Sequence, residues 1–257
     1  MSEILPERHA GRTYVITGSA QGIGLAYARR LGLEGARVVL SDIQEEPLIA
    51  ATEKLRVEGI DASCQAMDVS DSQSTRAFAE HLSEHFGKID GLINNAAIFS
   101  TLTLKPFWEI EQAEWEKVMA VNVTGIWLLT KDLLELLKAS EHASVIHIGS
   151  DATWMGKELY LHYVASKGAV FGITNAMARE LGKFGIRVNA LSPGFTMTEV
   201  PRATFTEQQR TAIMAAQALD RVAGTDDMAG VASFLLSKES GWITGQTLHV
   251  NGGTASF

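Results

Sequence analysis

Apolar runs of four to seven residues alternate with stretches of helical periodicity along the whole chain. Thr13–Gly18 (TYVITG) reads as a short buried strand, and Gly22–Glu34 as the helix that follows it. Arg37–Asp42 (RVVLSD) is the next strand, then a helix covers about Glu45–Glu58. Ser63–Val69 reads as a strand and Asp71–Phe86 as a helix. Gly91–Ala96 is strand-like, and two helical segments follow it, about Gln112–Val121 and Thr124–Lys138. Ser144–Ser150 (SVIHIGS) is a strand, Tyr160–Lys183 a long helix and Arg187–Pro193 a strand. Helical patterns at about Thr206–Leu219 and Asp226–Leu236, then a strand at Thr247–Val250, close the series. Strands that alternate with helices build βαβ units, hence a parallel sheet covered on both faces. No linker, low-complexity tract or solenoid repeat interrupts the pattern. The expectation is one doubly wound α/β domain over residues 1–257, with ligands beyond the carboxyl ends of its strands.

Composition narrows the class. A chain of 257 residues can bury a large core without disulfide or metal staples. With 46% hydrophobic and 20% charged residues, disorder and coiled coil are excluded. The one cysteine, Cys64, excludes an intrachain disulfide and points to a reducing compartment. A net charge of −8, from 22 basic and 30 acidic side chains, argues against nucleic acid or an anionic membrane as the main partner. The opening MSEILPERHAGR has no signal-peptide apolar stretch, and no apolar run is long enough to span a bilayer. A soluble cytoplasmic protein is expected.

Thr17-Gly18-Ser19-Ala20-Gln21-Gly22-Ile23-Gly24 lies between a predicted strand and a predicted helix. Glycines there permit a tight turn and let backbone approach a pyrophosphate, which the free N–H groups of a helix start would hold. No Lys-Ser or Lys-Thr pair ends the loop, so it is not a nucleoside triphosphatase loop. Asp42 ends the second strand, with Ile43 beside it. An acidic residue there can accept hydrogen bonds from the adenosine ribose and repel the 2′-phosphate of NADP. No Arg or Lys lies in Ser19–Ile23 or Asp42–Glu46 to welcome that phosphate, so NAD is the expected cofactor.

Tyr163 and Lys167 stand four residues apart on a predicted helix and share a face. A cation beside a phenol favours the phenolate and lowers a pKa that starts near ~10. Ser150 ends a predicted strand at the ligand-binding edge, and Asn122 falls between two helical patterns. Alone, each of these would be surface decoration, a strand-end turn or a helix cap.

Taken with Asp68-Val69, NNAA at Asn94–Ala97, Ser192-Pro193-Gly194 and the closing Gly245…Asn251-Gly252-Gly253, these motifs resemble the short-chain dehydrogenase/reductase family from about Gly11 to Gly253. The fold implied is Rossmann-type. The resemblance implies that Tyr163 is the general base in oxidation and the general acid in reduction. Lys167 would lower its pKa and hold the nicotinamide ribose, and Ser150 would stabilise charge on the substrate oxygen. Asn122 would hold a water linking Lys167 to solvent. Gly18, Ser19, Gln21, Gly22, Ile23 and Gly24 would cradle the pyrophosphate. Asp68 and Val69 would meet the adenine, and Asn95 would line the cleft. In the segment Pro193–Thr198, Pro193 and Gly194 would border the cofactor while Thr196 and Thr198 grip the carboxamide. Ala97 departs from the family's usual glycine and adds a methyl near the cofactor.

Substrate loops are expected at about 98–107, 151–161 and 195–218. They offer Phe99, Trp154, Met155, Tyr160, Phe195 and Met197 as an apolar or aromatic-tolerant lining, with Arg202 and Arg210 as candidate anion contacts. No metal is expected: His81-Leu82-Ser83-Glu84-His85 matches a zinc-protease string, but a solvated helix face is its default reading. His162 is read as packing or pocket lining, His147 as a satisfied core histidine and Cys64 as a core thiol. Thr124–Lys138 is apolar on more than one face, so one side wants a partner, and a homotetramer or dimer is expected. The resulting expectation is an NAD-dependent, metal-independent dehydrogenase of secondary alcohols. Its rivals are an NADPH-dependent 3-oxoacyl or carbonyl reductase and a silent nucleotide sensor on the same fold.

Overall fold

The computed structural model describes residues 3–200 and 207–254. Seven parallel strands form one sheet in the order β3-β2-β1-β4-β5-β6-β7. They are β1 (Thr13–Thr17), β2 (Arg37–Ser41), β3 (Ala62–Cys64), β4 (Gly91–Asn94), β5 (Ser144–Ile148), β6 (Arg187–Pro193) and β7 (Thr247–Val250). The helices are α1 (Gly22–Leu33), α2 (Glu45–Val57), α3 (Ser72–Phe86), α4 (Gln112–Met119), α5 (Gly125–Asp132), α6 (Leu134–Lys138), α7 (Leu161–Leu181), α8 (Glu207–Ala216) and α9 (Thr225–Leu236). Thr206, the expected start of the helix before α9, lies outside the described residues.

Burial on both faces explains why the central strands read as unbroken apolar runs. Side chains alternate along β1: Tyr14 and Ile16 join a core with Leu31 of α1, Leu48 of α2 and Leu235 of α9. Val15 faces the other way, into a core with Phe78 and Leu82 of α3 and Leu129 of α5. The chain runs outward from β1 to β3, then crosses back to β4 on the other side of β1. The crevice therefore opens above the carboxyl ends of β1 and β4.

The departures from expectation have local causes. β3 covers only Ala62–Cys64 instead of reaching Val69, because its sole neighbour, β2, ends at Ser41. Beyond Cys64 only isolated bonds persist, from Gln65 N to Leu40 O at 3.1 Å and from Met67 N to Asp42 O at 3.0 Å. Asp71 is not helical but caps α3, its carboxylate accepting from Gln73 N at 2.8 Å. The break expected around Asn122 is a widened π-helical turn, Ala120–Thr124, that carries α4 straight into α5. Gly18, Asp42, Asn95 and Ser150 all fall just past strand ends, where the sheet hands over to the crevice.

Candidate active site

At the first turn, space is the deciding constraint. Gly18 sits at φ +61°, and a Cβ there would lie 2.8 Å from Ala96 Cα; a Cβ on Gly24 would lie 2.2 Å from Gly18 O. Only hydrogen fits at either position, so α1 is drawn tight against the turn and starts at the crevice. Thr17, which the motif reading passed over, braces the floor: its hydroxyl accepts from Asn95 N and Ala96 N, each at 3.0 Å. Asn95 Nδ2 in turn donates to Thr17 O and Gly18 O, both at 2.9 Å. Asn95 thus lines the cleft while tying β4 to the turn. Ser19 does not reach the cleft. It is fully buried, its hydroxyl donates to Ile16 O at 2.8 Å, and its oxygen accepts from Ser41 N at 2.9 Å. Those strand-end bonds consume the side chain.

Asp42 is held at the end of β2 by two backbone donors, Ala20 N at 3.2 Å and Gln44 N at 3.1 Å. Ile43 lies beside it in the cleft wall. Asp68 Oδ1 accepts from Ser70 N at 2.8 Å and from the Ser70 hydroxyl at 2.6 Å, and Asp68 and Val69 also line the cleft.

At the other end, α7 carries Tyr163 and Lys167 into the same cleft as Ser150. Lys167 is buried and donates from Nζ to Ile148 O at 2.8 Å. Burial pushes its ammonium down from 10.5 to about 8. Its Nζ lies 5.9 Å from the centre of the Tyr163 ring, and Phe99 packs on that ring with centroids 4.6 Å apart. Ser150 caps the short turn Asp151–Thr153, its oxygen accepting from Ala152 N at 3.2 Å. Asn122 is fully buried beneath the cleft. Its Oδ1 accepts from Ile98 N at 2.8 Å, and its Nδ2 donates to Ile98 O at 3.2 Å and Ser166 Oγ at 3.0 Å. Ser166 passes the chain on to Tyr163 O at 2.7 Å. The Asn122 side chain is therefore engaged in bracing α7 against the β4 loop.

Asp151 is a residue the motifs did not single out. It is buried, and its Oδ1 accepts from Ser192 Oγ at 2.8 Å and from His249 Nδ1 at 2.7 Å. It fastens the Ser150 turn to β6 and β7. Of the expected substrate lining, Phe99, Met155, Tyr160 and Phe195 face the cleft. Trp154 does not: it stacks on Phe171 at 5.2 Å and meets His249 edge-on at 5.7 Å, on the far side of the Asp151–Thr153 turn. Met197 is exposed outside the cleft, Arg210 is on α8 but does not line it, and Arg202 lies outside the described residues. Gln21, Gly22, Ile23, Ala97, Pro193, Gly194, Thr196 and Thr198 all border the cleft. So do Leu104, within the expected 98–107 loop, and Glu114, unforeseen because its placement depends on how the β4–α4 loop folds.

His162 is buried rather than pocket-lining, with Nε2 3.1 Å from Glu114 Oε1. His147 is only half satisfied: Asn94 Nδ2 donates to Nδ1 at 3.1 Å, while its buried Nε2 finds no partner among the described residues. Its pKa is pushed down to about 3 by burial, reinforced by the Lys167 charge. Cys64 is half-buried against the β1–α1 core. His81 and His85 stack on α3 with rings 4.1 Å apart, away from the cleft.

The cleft measures about 1160 Å³ and runs from the turn and Asp42 to Ser150, Tyr163 and Lys167. A close-approach turn at a helix start, a carboxylate at one end and a cation beside a phenol at the other fit an extended dinucleotide with a reactive end at Tyr163. These features match what a dinucleotide-dependent oxidoreductase requires of its site. A family model described as enoyl-(acyl carrier protein) reductase matches residues 18–255. The chain is 36% identical over 245 residues to 5-keto-D-gluconate 5-reductase of Escherichia coli strain K12, covering 95% of each chain. It is 32% identical over 243 residues to 3-oxoacyl-(acyl-carrier-protein) reductase of the same strain, covering 95% of this chain and 97% of that one. The crystal structure of a glucose/ribitol-type dehydrogenase from Brucella melitensis superposes with a TM-score of 0.91 at 31% identity, over 98% of this chain and 100% of that one. The chain belongs to the short-chain dehydrogenase/reductase family and is an oxidoreductase.

Proposed function

We propose that this protein transfers hydride between a secondary alcohol, or its ketone, and NAD, without a metal. The convergence of Ser150, Tyr163 and Lys167 in one cleft with Asp42 at its other end supports the reading. Bound there, the nicotinamide supplies the hydride acceptor or donor. In oxidation, the Tyr163 phenolate takes the alcohol proton, and in reduction the phenol returns it to the carbonyl oxygen. The Ser150 hydroxyl donates to that oxygen and offsets its developing charge. Lys167, held by Ile148 O, places a positive charge near the Tyr163 ring and favours the phenolate.

NAD is preferred because Asp42 is fixed by two backbone donors where a 2′-phosphate would meet it. The relatives acting on 5-ketogluconate and on 3-oxoacyl carrier protein make sugar acids and 3-oxoacyl thioesters the first substrates to try. α5 leaves Trp127 half exposed, with Lys131 Nζ 5.0 Å over its ring. That face is proposed to be covered in a homodimer or homotetramer, and the single, unbridged Cys64 agrees with a cytoplasmic setting. The test is NADH and NADPH absorbance with a panel of polyols, sugar acids and 3-oxoacyl thioesters. Turnover with NAD and a secondary alcohol supports the reading. Activity with NADPH alone would favour the 3-oxoacyl reductase, and tight NAD binding with silence across the panel would favour a sensor.

A further inference from the structure

The segment after β6 folds back over the glycine-rich turn. Its base is fixed: Thr196 pairs with Ala223 in a parallel bridge, and Met197 N donates to Ala223 O at 2.9 Å. Beyond Met197 the chain reaches α1, where Glu199 Oε1 accepts from Gly22 N at 2.8 Å. Val200 follows, its Cγ2 3.3 Å from where a Gly22 Cβ would stand. Gly22 is the first residue of α1, and the first turn of that helix has no acidic residue of its own. The carboxylate that caps it comes from 177 positions further along the chain.

We infer that Glu199 is a latch that occupies the anion subsite of the dinucleotide and must leave before a pyrophosphate can enter. The inference rests on the dinucleotide reading above. Carboxylate and pyrophosphate are both anions drawn to the same helix-start N–H, and two anions cannot share it. Thr198 and Val200, the neighbours of Glu199 that line the cleft, are carried with it, while the Ala223 bonds hold Thr196 and Met197 in place. Entry of the cofactor is thereby coupled to the wall of the substrate loop. The latch lowers apparent cofactor affinity by the fraction of molecules it closes. An anion at an exposed helix start is worth enough to change affinity about two- to fivefold.

The wild type, Glu199→Gln and Glu199→Ala are titrated by calorimetry with NAD, NADP, ADP-ribose and adenosine. Glu199 is exposed, so neither change threatens the fold. Both variants are expected to bind NAD and ADP-ribose about two- to fivefold more tightly, with adenosine unchanged because it carries no phosphate. If the wild type binds NAD and the variants bind ADP-ribose equally or more weakly, the latch is wrong and the dinucleotide reading stands. An equal gain for adenosine overturns it too, since that reports a general loosening of the cleft. If no protein binds NAD, NADP or ADP-ribose, both readings fall together.

Discussion

Both ends of the sheet hold buried ionisable side chains, and the two ends treat them differently. At the amino end, Arg30 of α1 pairs with Glu34, the residue that ends that helix, with Arg30 Nε donating to Glu34 Oε1 at 2.8 Å. Ser233 donates to Glu34 Oε2, and Leu5 N to Oε1 at 3.2 Å. His9 Nε2 lies 3.0 Å from Ser233 Oγ, and the Tyr14 hydroxyl is 2.8 Å from His9 Nδ1. Burial alone would raise the Glu34 carboxyl, but the bonds from Arg30, Ser233 and Leu5 outweigh it and hold it below the usual range. At the carboxyl end, Lys167 is buried to the same degree, yet its amine meets a carbonyl, and among the described residues no carboxylate is paired with it. A closed acid–base network fixes shape. A buried charge without a counter-ion is kept at a cost, and chemistry is the usual reason for keeping it.

The largest test falls on the carboxyl end. Tyr163→Phe removes the proposed proton carrier and leaves the ring's contact with Phe99 intact. General acid–base groups contribute about 10²–10⁴-fold, so kcat should fall by that factor while NAD affinity and thermal midpoint hold. Turnover near the wild-type rate would refute the assigned mechanism. Oxidation in the wild type should rise with pH through an apparent pKa below the free phenol's ~10, reporting the Tyr163–Lys167 pair jointly.

The amino end should answer in stability alone. Glu34→Ala strips Arg30, Ser233 and Leu5 of their common acceptor, and breaking such a buried pair costs about 3–5 kcal/mol. Chemical denaturation should show that loss, with NAD affinity of the remaining folded protein unchanged. A large fall in affinity at unchanged stability would erase the distinction between the two ends. Nothing in the sequence advertised this network: its bonded members are up to 224 positions apart and match no motif.

What the sequence did advertise was local. Tyr163 and Lys167 could be paired because four residues bring side chains to one face of a helix, and Asp42 because it ends a strand. Strands on both sides of the sheet were legible as apolar runs for the same reason. Ser19 and Trp154 were misplaced because a motif does not say which way a side chain turns once the backbone leaves regular structure. Ser19 turned down to the strand ends, and Trp154 turned out to Phe171. Thr17 and Asp151 went unnoticed because their partners, Asn95, Ser192 and His249, arrive from other strands.

Lys167→Met sharpens the contrast by separating stability from function. Burial lowers this amine from 10.5 to about 8, about 2.5 pH units, which is about 3 kcal/mol of strain on the charged form. Met should therefore raise stability at neutral pH by up to that amount, less what the Ile148 carbonyl loses with its donor. The sign follows from proton counts. Between pH 8 and 10.5 the unfolded lysine holds its proton and the folded one has released it, so wild-type stability rises with pH in that window. The advantage of Met should be full below about pH 8 and fade towards pH 10.5 in denaturation curves, while activity is lost throughout. A less stable Met variant at neutral pH would mean the amine is paired after all.

Asp42 is the intermediate case, an acid at the carboxyl end that is half structural and half open to the cleft. Its two oxygens take Ala20 N and Gln44 N, which fixes where its charge stands. Asp42→Asn keeps an acceptor for one of those donors and the side chain's shape, but removes the charge. If repulsion of the 2′-phosphate sets cofactor choice, the wild type should favour NAD over NADP by at least tenfold in kcat/KM, about 1.4 kcal/mol. The Asn variant should close most of that gap, chiefly by improved use of NADP. Asp42→Ala should close it as well but also weaken NAD, because both the proposed ribose acceptor and the brace on the glycine-rich turn are gone. Kinetics with both cofactors distinguish the cases. If Asn leaves the ratio unchanged and Ala weakens both cofactors alike, Asp42 belongs with Glu34 among the structural acids, and its charge does not select the cofactor.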